Sequence, residues 1–276
     1  MSFRRQYPAT YSCSLAGMKW ILLIIATAGI AGLGFIAKSK STTKLISTNS
    51  ESVMGSYAPI AVLELFTSEG CSSCPSADKL LPQLAKLDSN IFPLSFHVDY
   101  WNRLGWEDPF SNSEFSERQQ NYSRQLNLES VYTPQLVVNG EYELVGSNRG
   151  KAESAIKTAL KEKATVKLNI DRVKINGDKI SFIVLAAGDF KKTDLLVALV
   201  QKQTTMKVRA GENSGADLSH TNVVSVFSKK TTTEINQFEL MVPANILHDN
   251  WQLIIYTQQK NDLKVTGAVL YTPNEK

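Results

Sequence analysis

The sequence predicts a mixed α/β domain over residues 58–163, a mixed sheet covered by helices with a C-x-x-C pair at a helix N-terminus. An all-β, sandwich-like domain over 164–276 follows it. Three observations carry this expectation. The periodic segments of the first stretch run strand, helix, strand, helix, hairpin, helix, and a strand–helix–strand start implies a right-handed parallel crossover. Asn139–Gly140 is a strong short hairpin signal and adds antiparallel strands. From residue 165 the texture changes to strand-like runs separated by polar turns, with no helical period.

Each element has its own reason. "PIAVLELFT" (59–67) is a near-continuous apolar run of strand length, suited to burial on both faces. Leu80, Leu81, Leu84 and Leu87 recur at helical spacing, so a helix is expected from near Cys71 to about Leu87. Pro75 suits its first turn, and Pro82 bends it. "IFPLSFHVDYW" (91–101) reads as a second strand, and a helical pattern runs from about Ser113 to Leu128. "PQLVVNGEYELVG" (134–146) reads as two short strands, and "NRGKAESAIKTALKEK" (148–163) as a helix burying Ala155, Ile156, Ala159 and Leu160. Beyond it, "TVKLNIDRVKINGDKISFIVLAA" alternates around Asn176–Gly177. "DLLVALVQK", "TNVVSVFSK", "NQFELMV", "NWQLIIYTQ" and "VTGAVLYT" complete about seven strands.

At 276 residues and 43% hydrophobic the chain can bury one large core or two medium ones. Its net charge of +4 comes from interspersed residues, which gives no case for nucleic acid. A basic segment (1–19) precedes the uncharged run Trp20–Ala37. At about 1.5 Å per residue this run spans most of a ~30 Å hydrocarbon core. Two readings stay open, a transmembrane anchor in the cytoplasmic membrane or a cleaved signal segment. Either places the chain beyond a flexible linker (38–57) outside the cytoplasm, in the cell envelope, periplasm or medium, where disulfides persist. Cys13 falls outside that exported part.

Cys71 and Cys74 are therefore the thiols to explain. A thiol at a helix N-terminus meets unpaired N–H groups and the positive end of the dipole, which favour thiolate. Glu69 and Asp78 oppose this. Cys71 is expected to attack a disulfide and Cys74, one turn on, to resolve the mixed disulfide. Zinc needs four ligands, and His97, His220 and His248 are scattered. No cofactor beyond a redox-active Cys71–Cys74 disulfide is implied. The rival is a non-enzymatic ligand- or metal-binding exported protein, with the pair as a Cu(I) clamp or a structural disulfide.

Two polar stretches add candidates. "HVDYWNRLGWEDPF" (97–110) crowds His97, Asp99, Tyr100, Trp101 and Trp106 past the second strand, the end where α/β sheets bind ligands. Tyr100 and Trp101 are candidates for a substrate wall, and Asp99 for a carboxylate that shuttles protons to Cys74. "RAGENSGADLSH" (209–220) offers Arg209, Glu212, Asn213 and His220 to close over the cysteines and select partners. The plain alternatives are a packed cap and a solvated hairpin loop.

The C-x-x-C at a helix start, followed by Thr133–Pro134 opening a strand that runs into a Gly hairpin, resembles thioredoxin and glutaredoxin over about residues 58–163. That resemblance implies a cis Pro134 beside the cysteines and a Thr133 backbone offered to a substrate cysteine. "LELFTSEGCSSCP", "FHVDYWNRLGWEDPFSNSEFSERQQNY", "YTPQLVVNG" and "RAGENSGADLSHTNVV" resemble a bacterial secreted thioredoxin-like family, domain of unknown function 1223. The thioredoxin motif Trp-Cys-Gly-Pro-Cys is absent; Gly70 precedes the pair and Ser72–Ser73 lie within it. The expectation is an exported thiol–disulfide oxidoreductase acting on protein or small-molecule disulfides, with an unidentified redox partner.

Overall fold

The computed structural model describes residues 56–246 and 250–273. The basic segment, the apolar run, most of the linker and His248 lie outside the described residues. Among the described residues, no helix is long and apolar enough to cross a membrane.

β1 (Ala61–Thr67) is buried along its whole length. It leads through the cysteine turn into α1 (Pro75–Leu84) and then β2 (Ile91–His97), parallel to β1 from Ala61↔Ile91 to Thr67↔His97. A 3-10 turn (Asn102–Leu104) and α2 (Ser113–Gln125) follow. The hairpin β3 (Gln135–Val138) and β4 (Tyr142–Val145) then leads into α3 (Arg149–Ala159). β3 pairs antiparallel with β1.

Local chemistry sets these boundaries. Asn112 caps α2 by accepting from Glu114 N, and Asn148 caps α3 by accepting from Lys151 N. The helix expected from near Cys71 begins later, at Pro75. Proline has no N–H to offer and its fixed φ suits the first helical position, so Cys74 becomes the cap residue and Cys71 stays in the preceding turn. At the hairpin tip, Asn139 Oδ1 accepts from Val62 N and its Nδ2 donates to Ile60 O. Gly140 (φ +73°) lies so close to the Leu263 carbonyl that a Cβ would sit 2.0 Å from that oxygen.

The second half supplies the seven expected strands: β5 (Val166–Asn176), β6 (Lys179–Gly188), β7 (Thr193–Lys207), β8 (Asp217–Thr231), β9 (Ile235–Met241), β10 (Trp251–Gln259) and β11 (Val265–Tyr271). They do not make a separate sandwich. Four of them extend the first half's sheet in the order β11-β10-β7-β8-β2-β1-β3-β4, while β5, β6 and β9 form a three-stranded sheet. The boundary at 163/164 therefore crosses one continuous sheet. β2 and β8 meet in parallel at Ser95↔Val223, where Asn222 Nδ2 donates to the Pro93 carbonyl at 3.0 Å.

The physical reason lies in β7, which is apolar on both alternations. Leu195, Val197 and Leu199 pack with Phe182, Phe238 and Leu240 of the small sheet. Leu196, Ala198 and Val200 join Phe96, Phe115 and Tyr122 on the α2 side. A strand apolar on both faces must be covered on both. β1 does the same: Ala61, Leu63 and Leu65 lie under α1 and α3, and Val62 and Phe66 face α2.

One polar knot ties the halves together. Arg118 of α2 donates Nε and Nη2 to the two oxygens of Glu64 at 2.5 and 2.7 Å. Its Nη2 also reaches the hydroxyls of Tyr122 (2.9 Å) and, on β10, Tyr256 (3.0 Å). Its guanidinium lies over the Phe227 ring at 5.1 Å. Burial opposes the charge, but Glu64 beside it holds the Arg118 pKa well above its ordinary value.

Candidate active site

At the carboxyl end of β1 the chain turns back on itself: Cys71 N donates to Ser68 O, and Cys74 N to Cys71 O, both at 3.2 Å. Cys71 and Cys74 are joined in a disulfide with Cα atoms 5.4 Å apart. Gly70 lets this turn lie against Trp101, because a Cβ there would come 3.1 Å from the Trp101 Cβ. Cys71 Sγ is 3.4 Å from Ser73 Oγ, which donates to the Thr133 carbonyl at 3.4 Å. Trp101 Nε1 donates to Thr133 Oγ1 at 2.8 Å, and the Thr133–Pro134 peptide is cis. Cys71, Cys74, Trp101, Thr133 and Pro134 thus come together. Tyr100, next to them, donates to Gln119 Oε1, and burial pushes its pKa up.

The loop between β7 and β8 is strapped onto this turn. Glu212 Oε2 accepts from Ser72 N at 3.0 Å, and the Ser72 hydroxyl together with that N–H holds its carboxyl below the ordinary value. Asn213 Nδ2 donates to the carbonyls of Glu69 (2.8 Å) and Cys71 (2.9 Å). Both cysteines are 0% exposed. Glu212 and Asn213, expected to contact substrate, are therefore committed to the cysteine turn itself. Asn213→Ala is expected to speed reduction of the disulfide by a small dithiol about tenfold. Two bonds of about 0.5–1.5 kcal/mol each hold the strap, and about 1.4 kcal/mol is one decade. The rate of thiol release measures this, and an unchanged rate would mean that the strap does not control access.

Two sequence expectations are corrected. Asp99 is engaged with α2: it accepts from Ser116 Oγ, and its own N–H donates to the same hydroxyl. His220 is not on the loop surface: it is 2% exposed. It belongs instead to an ionisable cluster beneath the cysteine turn. His220 Nε2 is 3.3 Å from Glu69 Oε1, and its Nδ1 is 3.5 Å from Asp78 Oδ2. Its ring packs edge-on against His97 with centroids 4.7 Å apart. His97 Nδ1 is 2.7 Å from Asp108 Oδ2, and that oxygen also accepts from Glu69 N. Trp106 Nε1 donates to Glu69 Oε2 at 2.8 Å.

Burial by itself disfavours charge on His220 and Asp108, and their partners outweigh it. Burial would favour a neutral His220, yet the Asp78 and Glu69 carboxylates raise its pKa to about 9. Burial would raise Asp108 as well, but His97 and the Glu69 and Phe110 N–H groups bring it below the ordinary carboxylate value. Asp108 was missed as a site residue because no spacing links it to His97; only the folded loop brings the two together. Among the described residues, no group of three or more His, Cys, Asp or Glu is arranged to hold a metal ion.

A family model described as "Protein of unknown function (DUF1223)" matches residues 62–258, which takes in every residue of this site and leaves out β11. The chain belongs to the DUF1223 family. Among solved structures, this DUF1223 chain is similar to protein AGR_C_4864 from Agrobacterium tumefaciens. The two share 28% identity with a TM-score of 0.59, over 80% of this chain and 98% of the other. It also shares its fold with HBP35 of Porphyromonas gingivalis, at 13% identity and a TM-score of 0.55, over 79% and 76% of the two chains. No curated protein matches it.

Proposed function

We propose that this DUF1223 chain is an exported thiol–disulfide oxidoreductase on a thioredoxin-like core, held at the membrane by residues 20–37 or released after their cleavage. Cys71 is the attacking thiol and Cys74 the resolving one. The observation that carries the reading is the Cys71–Cys74 disulfide in the turn that opens α1, with Ser73 and Thr133 beside it. The order β2-β1-β3-β4, with α1 crossing between parallel β1 and β2, supports the thioredoxin-like part. A disulfide also fits the oxidising compartment that the N-terminal run points to.

One observation favours the second reading, a structural disulfide in a binding protein: neither cysteine is exposed. Against it, a disulfide closing so short a loop removes little chain entropy, so it stabilises the fold weakly. The strap reconciles burial with exchange, since lifting residues 209–216 uncovers the turn. The reduction potential decides between the two readings. Equilibration of the full chain in defined glutathione buffers is expected to place it between about −120 and −270 mV, among catalytic dithiols, whereas a value below about −300 mV would sink the exchange reading.

A further inference from the structure

We propose that Asp78, held by His220, is the proton acceptor for Cys74, so that strand β8 of the second half supplies part of the thiol chemistry. The proposal rests on the exchange reading above. Cys74 is 0% exposed in the disulfide form, so a thiol released in that place has no direct contact with solvent. Asp78 lies one helical turn on, at the i+4 position of the same face, and is itself 4% exposed. Neither of its oxygens makes a hydrogen bond of ordinary geometry, and His220 Nδ1 stands 3.5 Å from Oδ2.

The other carboxylates nearby are occupied. Glu69 takes the Trp106 indole on one oxygen and faces His220 with the other. Asp108 is tied to His97 and to the N–H groups of Glu69 and Phe110. A buried carboxylate without donors is costly unless a countercharge stands by. His220 supplies that charge across the cluster, its Nδ1 3.5 Å from Asp78 Oδ2. The ionisable groups facing His220 are Glu69 from the cysteine turn, Asp78 from α1 and His97 from β2, the last carrying Asp108 behind it. The imidazole, raised to about 9 by its two carboxylate neighbours, stays protonated at neutral pH and stands as the countercharge beside Asp78.

In the resolving step the Cys74 S–H bond breaks and the proton passes to Asp78. The sulfur's electron pair forms the Cys71–Cys74 bond. The bond between Cys71 and the substrate sulfur breaks, and its pair leaves on that sulfur as a thiolate. The cysteine pair loses two electrons and the substrate disulfide gains them.

The test is the dithiol–disulfide equilibrium of the full chain, poised with dithiothreitol from about pH 5 to about pH 10. Asp78→Asn and His220→Gln are each expected to move its pH dependence by about one pH unit or more, since the acceptor's ionisation is linked to the redox state. Profiles that superimpose on the wild type would overturn the proposal. Should either variant fail to fold, the wild-type reduced-minus-oxidised infrared spectrum carries the same decision. A carboxyl protonation band that changes with redox state is expected, and its absence would overturn the relay. Because a small dithiol poises the pair, the profile is readable whether or not the chain acts on a protein. Failure of the relay and failure of the exchange reading are therefore separate results.

Discussion

Cys71→Ser is expected to abolish disulfide exchange, whereas Cys74→Ser is expected to accumulate a mixed disulfide with the substrate, glutathione disulfide serving as the probe. A serine hydroxyl does not attack a disulfide at neutral pH, so the first variant has no nucleophile. The second keeps its nucleophile and loses only the thiol that releases the product. The asymmetry follows from position. Cys74 caps α1 and is fixed by the helix, while Cys71 lies in the turn that Asn213 and Glu212 hold down. Losing the cross-link of so short a loop costs about 2 kcal/mol on the chain-entropy model, so both variants are expected to fold. Mass spectrometry of the trapped adduct and the exchange rate read the outcome. Full exchange in both variants would end the oxidoreductase reading.

Arg118→Ala is expected to cost about 3–5 kcal/mol, the largest stability loss of any single change considered for this chain. Glu64 is 1% exposed and takes two hydrogen bonds from Arg118 and one from the Tyr122 hydroxyl at 2.6 Å, so truncation leaves a buried carboxylate with a tyrosine donor but no countercharge. The same guanidinium bonds Tyr256 on β10 and lies over Phe227 on β8, so the loss falls on the join between the halves. For a domain of this size the midpoint of thermal unfolding falls by about 10 °C or more. Arg118→Lys restores the charge without the planar fork and is expected to recover only part of the loss. Arg118→Met combined with Glu64→Leu removes both charges and is expected to be milder than Arg118→Ala. Thermal unfolding of Arg118→Ala within about 1 kcal/mol of the wild type would show that the knot does not hold the halves together.

Much of the first half was legible because its signals are local. Apolar runs, the leucine spacing of α1 and the Asn139–Gly140 turn each act within a few residues. Cys71–Cys74 stood out for the same reason and Thr133–Pro134 through the thioredoxin resemblance, and Trp101, Glu212 and Asn213 do lie beside them. The role given to Asp99 failed because proximity in sequence to a strand end does not say which way a side chain is held; Ser116 holds it. His220 was found as a residue but expected to close over the cysteines with the loop, since a polar loop conceals that its last histidine re-enters a strand and turns inward.

The sequence by itself determined the element order, the strand count of the second half and the chemistry available at the cysteine turn, all of which follow from spacing and composition. Only the tertiary structure decided that the second half extends the first half's sheet through β2 and β8, straps the disulfide and sets His220 between Glu69 and Asp78. Those outcomes depend on contacts between residues more than a hundred positions apart. Strand pairing and burial choose such contacts by covering both faces of β7 and neutralising buried charge, and no local pattern encodes either requirement.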